Sequence, residues 1–169
     1  LSKRGELLEA VPAARLKTGM DVTEDIWFQS TLERTDNLYF SMPHVQYMFD
    51  NTENQYRWVI SLSRDVELTR GYYTEQGVLL IDLSYGSLQQ MLDNITLGNQ
   101  GYLYLISSSG ELIYHPQMQM ISSGLVQENN LIAAGYRDGT HHEVYQGEQR
   151  EITVKSVGYT GWKIVGVTP

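Results

Sequence analysis

The sequence predicts an α+β chain of two tandem modules, residues 1–94 and 95–169, each an antiparallel sheet with flanking helical segments. Three observations carry this. A phrase recurs: Ser2-Lys3-Arg4-Gly5-Glu6-Leu7-Leu8 runs on to Pro12, and Ser108-Ser109-Gly110-Glu111-Leu112-Ile113 runs on to Pro116. In each copy a polar triplet ending in Gly supplies the positive-φ position of a tight hairpin, and the run after it suits a half-buried strand. The two halves also close alike, on apolar strands opened by glycine: Gly77-Val78-Leu79-Leu80-Ile81-Asp82 and Gly161-Trp162-Lys163-Ile164-Val165-Gly166-Val167. Each follows another β-rich run, Arg57 to Val66 and Glu151 to Gly158. Between the halves, Leu88, Met91, Leu92 and Ile95 fall at helical spacing with Gly98 just beyond, which predicts a linking helix over 84–95.

The remaining elements follow in order. Asp21-Val22-Thr23-Glu24 has the spacing of a capping box and predicts a short helix through Trp27, Phe28 and Leu32, stopping near Thr35-Asp36-Asn37. Leu38 to Met48, mixed around Pro43, reads as irregular strand and loop, and 50–55 as a polar turn. Two long strands come next, joined by a loop around Thr69 to Gln76. In the second half a strand over Tyr102 to Ile106 precedes the hairpin and a strand to Pro116. A partly helical stretch to about Ala134 and three strands to Pro169 follow, with turns at Asp138-Gly139 and Gln146-Gly147.

Composition bounds the function. With 169 residues and 41% hydrophobic content the chain can build real cores. No apolar run reaches eighteen residues and no signal-peptide pattern opens the chain. It starts at Leu1, almost at the hairpin turn, and stops as a strand ends, the mark of a segment from a longer protein. A net charge of -8, with the 12 basic residues scattered, argues against nucleic acid and against an anionic membrane surface. The lack of Cys excludes disulfides and thiolate metal sites and leaves the compartment open.

Strand alternation puts Trp58, Ile60, Leu62 and Arg64 in one row, and Val78, Leu80 and Asp82 in another. If the segment 67–76 makes these strands a hairpin, Arg64 and Asp82 share a face. Two readings stand for the pair: a salt bridge or exposed strand end, or polar anchors of a small-molecule pocket. Trp27 and Phe28 read as core residues. His44, beside Tyr39, Phe40 and Tyr47, is either a structural histidine or a ligand contact. His141 and His142 point to opposite faces of a strand and lack the spacing of a metal pair. No nucleophile elbow, phosphate loop or dinucleotide fingerprint is present, so the chain reads as a non-enzymatic module without catalytic residues, metal or cofactor.

The order Asp25-Ile26-Trp27-Phe28, Trp58 to Arg64, Gly77 to Asp82, Gly101-Tyr102-Leu103-Tyr104-Leu105-Ile106 with Gly110 and His115-Pro116, and Gly161 to Val165 resembles a double Cache sensor domain over nearly the whole chain. In Arg57 to Arg64 and Tyr159 to Gly166 it looks closest to the extracytoplasmic domains of YesM-type sensor histidine kinases. The resemblance implies two PAS-like modules, a membrane-distal one holding a ligand and a membrane-proximal relay; the family's long amino-terminal helix is outside this chain. It makes Trp27 a pocket wall and, taken with the strand rows and the aromatic stretch, gives an expected ligand site of Trp27, Phe28, Tyr39, His44, Trp58, Arg64 and Asp82; it also implies a homodimeric membrane protein whose missing cytoplasmic part is a kinase acting on a response regulator. A chemoreceptor or a cyclic-dinucleotide enzyme carries the same kind of sensor, and a spacer that binds nothing is the third possibility. Amino-acid-binding members place an Arg two residues before the Trp to grip the ligand carboxylate, and Asp82 matches their acid for the ammonium group. Asp25 stands where that Arg would be, which turns the expected ligand toward a sugar, an amine or another polar solute.

Overall fold

The computed structural model describes residues 1–35, 37–50 and 56–169. The chain is α+β, with antiparallel sheets and short helices, and divides into two compact units, Leu1–Gly86 and Ser87–Pro169.

In the first unit, helix α1 (Ile26–Glu33) precedes strands β1 (Tyr39–Phe40), β2 (His44–Val45), β3 (Trp58–Arg70) and β4 (Tyr73–Ser84). Strand β3 is central: β1 and β2 share one of its edges and β4 takes the other. The hairpin β3–β4 turns at Gly71-Tyr72, where Gly71 takes a φ of 61°. Helix α1 lies over the sheet face that carries Val59, Ser61, Ser63, Val78 and Leu80. Phe28, Val22, Met48 and Val78 form the core there, and the buried hydroxyls of Thr31 and Ser63 meet at 2.8 Å. Burying an aromatic or aliphatic side chain of this size contributes about 1.5–3 kcal/mol, so this face holds α1 in place.

The second unit starts within helix α2 (Tyr85–Asp93) and continues through β5 (Tyr102–Ile106), β6 (Leu112–Tyr114), α3 (Met118–Ser122), α4 (Asn130–Ala133), β7 (Gly139–Tyr145), β8 (Glu148–Val157) and β9 (Trp162–Thr168). Its sheet runs β6-β5-β9-β8-β7, all antiparallel, over a core of Tyr104, Ile106, Ile152, Val154 and Val165.

The repeated phrase is a structural repeat. The Ser2 amide donates to the Glu6 carbonyl and the Gly5 amide to the Ser2 carbonyl, at 2.8 and 2.9 Å; Ser107 with Glu111, and Gly110 with Ser107, do the same at 2.9 and 3.0 Å. Gly5 and Gly110 take φ of 79° and 89°. Each serine hydroxyl oxygen accepts the glutamate amide besides.

Three expectations about local structure change. Asp21 accepts the Thr23 amide in a local turn, and the helix starts later, with Asp25 at its cap and no side-chain capping bond. The loop expected over 69–76 is largely strand, because the long β-branched and polar alternation continues to a two-residue turn. Of the apolar stripe on α2 only Leu92 is buried, while Met91 stays 60% exposed. The polar turn lies, apart from Asp50, outside the described residues.

Candidate functional site

The two-residue turn fixes a register that decides which side chains meet. Ser61 pairs with Asp82 and Arg64 with Leu79, so even-numbered residues of β3 share a face with odd-numbered residues of β4. Arg64 and Asp82 therefore stand on opposite faces, contrary to the row argument, which assumed matching parity. Tyr39 pairs with Ser63 and His44 with Val59, which places both on the face of Asp82, under α1. Trp58 and Arg64 belong to the other face, with Leu79, Ile81 and Leu83. Phe28 is 1% exposed, a core residue whose ring meets the Trp27 ring edge-on at 5.6 Å.

On the α1 face two polar groupings adjoin. At the start of α1 the Asp25 carboxylate Oδ2 accepts the Tyr47 hydroxyl at 2.6 Å and the Trp27 indole N–H at 3.1 Å. The indole N–H also points to the Tyr47 oxygen at 3.0 Å. The amino end of a helix favours a negative charge, and here the acid serves the indole and the phenol instead of the helix amides. On the sheet, the Ser61 hydroxyl donates to Asp82 Oδ1 at 2.6 Å. His44 reaches Ser61 Oγ with Nε2 at 3.4 Å and the Met42 carbonyl with Nδ1 at 2.9 Å. A carbonyl only accepts, so His44 carries its hydrogen on Nδ1. The His44 and Tyr47 rings, 6.1 Å apart, join the groupings.

The Tyr47 phenol feels both. Its pKa is pushed up to about 12, by burial first, then by the bond to Asp25, then by the negative charges of Asp25 and Asp82, while the Trp27 N–H works in the opposite direction. Of the two carboxylates, that of Asp25 is half-buried and that of Asp82 exposed. Among the described residues neither forms an ion pair with Lys or Arg, and each has one oxygen without a protein partner: Asp25 Oδ1 and Asp82 Oδ2.

Tyr47, Ser61 and Ser41, which positions the Ser61 amide at 2.8 Å, escaped the sequence reading. The serines alternating through Ser61 and Ser63 on an otherwise apolar strand were the available signal. An open cleft of about 420 Å³ follows the loop from Leu7 to Leu16, and none of the residues expected to touch a ligand lines it.

The second unit buries a charged cluster that the sequence reading missed entirely. Arg150 donates to Glu128 at 2.6 Å and to Glu143 at 2.7 Å, and its guanidinium lies 4.4 Å from the Tyr145 ring centre. Glu128 also accepts the Tyr102 hydroxyl and the Asn129 amide, and His115 Nε2 lies 3.3 Å away. The Gln117 amide donates to His115 Nδ1, so His115 is the neutral Nε2–H tautomer. Every carboxylate oxygen here has a donor. The Tyr104 hydroxyl, buried beside the cluster, has no partner among the described residues.

A family model described as Cache domain matches residues 2–169. Among curated proteins, a probable methyl-accepting chemotaxis protein of Bacillus thuringiensis subsp. konkukian is 25% identical over 99% of this chain and 23% of its own length. The methyl-accepting chemotaxis protein TlpB of Bacillus subtilis is 19% identical over 92% of this chain and 22% of its own. The chain thus spans less than a quarter of either relative. Among solved structures, the ligand-binding domain of the Pseudomonas aeruginosa amino-acid chemoreceptor PctC in complex with GABA superposes with a TM-score of 0.64 at 21% identity, covering 98% of this chain and 72% of that one.

Proposed function

The chain belongs to the Cache domain family, and on that premise we propose that it is the extracytoplasmic sensor of a membrane-anchored chemoreceptor, binding a small polar solute on the α1 face of its first unit. The observation that carries the site is the convergence of Asp25, Trp27, His44, Tyr47, Ser61 and Asp82 on one sheet face from four different segments. Structural scaffolding alone does not call for two carboxylates on this face that, among the described residues, pair with no Lys or Arg. The chemotaxis output is supported by the relatives, which match nearly the whole of this chain as a minor part of themselves. This favours the chemoreceptor over the histidine kinase implied by the resemblance, and it needs no chemistry in this chain.

Trp27, Tyr39, His44 and Asp82 form the ligand wall, with Phe28 behind it as core support. Trp58 and Arg64 lie outside the wall. The second unit acts as the membrane-proximal relay in a homodimer. Strand β4 carries Asp82 and continues without a break into α2, so a solute that draws α1 toward the sheet acts on an element that leads directly into the second unit. Signalling requires that the solute favour one arrangement over another, since equal affinity for both shifts neither.

A thermal-shift screen of amino acids, amines, sugars and organic acids tests the sensor reading. A specific solute at a hundred times its Kd stabilises the domain by about 2.7 kcal/mol, a visible rise in Tm. A hit whose shift survives Asp82→Asn and Trp27→Ala would place the site elsewhere. A chemotaxis assay with the full receptor, comparing swimming toward the hit with and without the receptor, tests the output.

A further inference from the structure

Resting on that sensor reading, we infer that the segment 92–97, the end of α2 and the residues just after it, couples β4 to the sheet of the second unit through two attachments: the Asp93–Tyr114 hydrogen bond and the Leu97 side chain seated over Gly166. Strand β4 passes into α2 without an intervening residue, so Asp82 stands only three residues from the helix. A helix of nine residues is a rod about 13 Å long, and a displacement at one end is felt at the other. What it reaches depends on where the rod is fastened. Met91 in the helix and Ile95 just beyond it are 60% and 44% exposed, and Leu92 is the buried residue of α2. The fastening is therefore at the carboxyl end.

The register of the second sheet shows what that end meets. Leu103 pairs with Gly166 and Leu105 with Tyr114, which puts these four on one face, opposite the face of Tyr104 and Val165. Gly166 lies on β9, the middle strand of the five. Tyr114 is 3% exposed, and its hydroxyl donates to the carboxylate of Asp93, the last residue of α2. Beyond the helix, the Ile95 amide donates to the Leu92 carbonyl at 3.0 Å, Leu97 bridges to Gly101, and Gly98 turns the chain between them with a φ of 62°. That turn brings Leu97 onto the sheet. A Cβ at Gly166 would lie 3.0 Å from Leu97 Cδ1 and one at Gly101 2.7 Å from Leu97 Cβ, so the side chain occupies space that two glycines leave open. One short segment thus holds β6 by a hydrogen bond and β9 by packing. A linker that only spans a gap needs neither.

Hydrogen exchange on this chain across a urea series tests the coupling, read on β3 and β4 for the first unit and on β5 and β9 for the second. Val78→Ala is the perturbation, because Val78 lies on β4 in the first unit's core at 1% exposure and its truncation weakens that unit alone. With the attachments intact it should lower the urea midpoint of both units, the second by at least half as much as the first. In Leu97→Ala or Tyr114→Phe backgrounds the second unit's response to Val78→Ala should fall by at least half, and with both changes it should vanish while the first unit responds as before. Met91→Ala, an exposed change on the same helix, should leave the response intact. A residue that merely stabilised the second unit would lower its midpoint without altering whether it feels Val78→Ala. A second unit that ignores Val78→Ala in the otherwise unaltered chain overturns the inference, and so does one that still responds in full with an attachment removed. Tyr114→Phe removes a single oxygen and decides the matter if Leu97→Ala fails to fold. Either overturning result leaves the sensor reading standing, because the solute screen decides that one.

Discussion

Acid should unfold the second unit through one carboxyl group, Glu128. Its side chain is 2% exposed, and burial by itself would raise its pKa. The hydrogen bonds from His115, Tyr102, the Asn129 amide and Arg150 outweigh that and hold it at about 2, against 4.5 for the group in the open chain. A depressed folded pKa means that the stabilisation is complete above the open-chain value and is lost as pH falls toward the folded one. The window is therefore between about pH 5 and about pH 2. At about 1.4 kcal/mol per pKa unit the whole contribution is about 3 kcal/mol, a large fraction of what holds a small unit together. Urea unfolding at a series of pH values, with hydrogen exchange read separately on β5 and β9, measures it. Glu128→Gln should cost about 3–5 kcal/mol at neutral pH, because Arg150 then faces Glu143 alone and an amide N–H₂ meets donors, and it should flatten the acid dependence. A second unit as stable near pH 3 as at neutrality, or a Glu128→Gln variant matching the parent, would refute the reasoning.

Three further outcomes follow from single contacts. Tyr104→Phe removes a buried hydroxyl that bonds to nothing and should stabilise the second unit by about 1 kcal/mol in urea titration; a loss of that size would mean the hydroxyl is satisfied. Thr31→Val strands the buried Ser63 hydroxyl and should cost about 1–3 kcal/mol, whereas Ser63→Ala leaves Thr31 donating to the Trp27 carbonyl and should cost less, and the double variant should cost clearly less than their sum in a double-mutant cycle. In Gly101→Ala the new Cβ would lie 2.1 Å from the Leu97 carbonyl oxygen and 2.9 Å from that of Val167, so backbone must move and thermal unfolding should show a loss of at least about 2 kcal/mol.

The fold was legible where local chemistry decides it. Glycines at positive φ, the paired hairpins and the closing strands all follow from short-range preferences, and those are written residue by residue. Face assignments depended on something longer. Strand alternation correctly puts Trp58 and Arg64 on one face of β3, and Leu80 and Asp82 on one face of β4, but whether two rows coincide depends on the parity of the turn between them. The residues Leu68 to Gln76 carry no strong turn signal, since Gly71 is followed by Tyr72 rather than by Asn or Asp. One residue of difference in that turn moves Asp82 from the side of Arg64 to the side of Ser61.

The Arg150 cluster was invisible for a related reason. Its members come from β5, the end of β6, the segment before α4, β7 and β8, and each taken alone is an ordinary charged or aromatic residue. Even His115, whose place before Pro116 suggested only a strand end, proves to be 4% exposed and bonded within the cluster. Partners that far apart in the chain leave no spacing to read.

The two units start from the same hairpin and treat charge in opposite ways, which bears on the division of labour. In the second unit Glu128 and Glu143 are satisfied from within by Arg150, Tyr102, Asn129 and Tyr136, so a solute has no unmet electrostatic demand to exploit there. Opening that cluster would cost several kcal/mol before any ligand contact formed. In the first unit Asp25 and Asp82 are oriented by neutral donors, and the helix and strand that carry them are joined by the Gln76 side-chain amide, which donates to the Leu32 carbonyl at 3.0 Å, and by an apolar core. A solute bound there, as proposed above, would touch both elements at once. Its binding energy therefore depends on how α1 sits against β4, and that dependence is what a sensor requires.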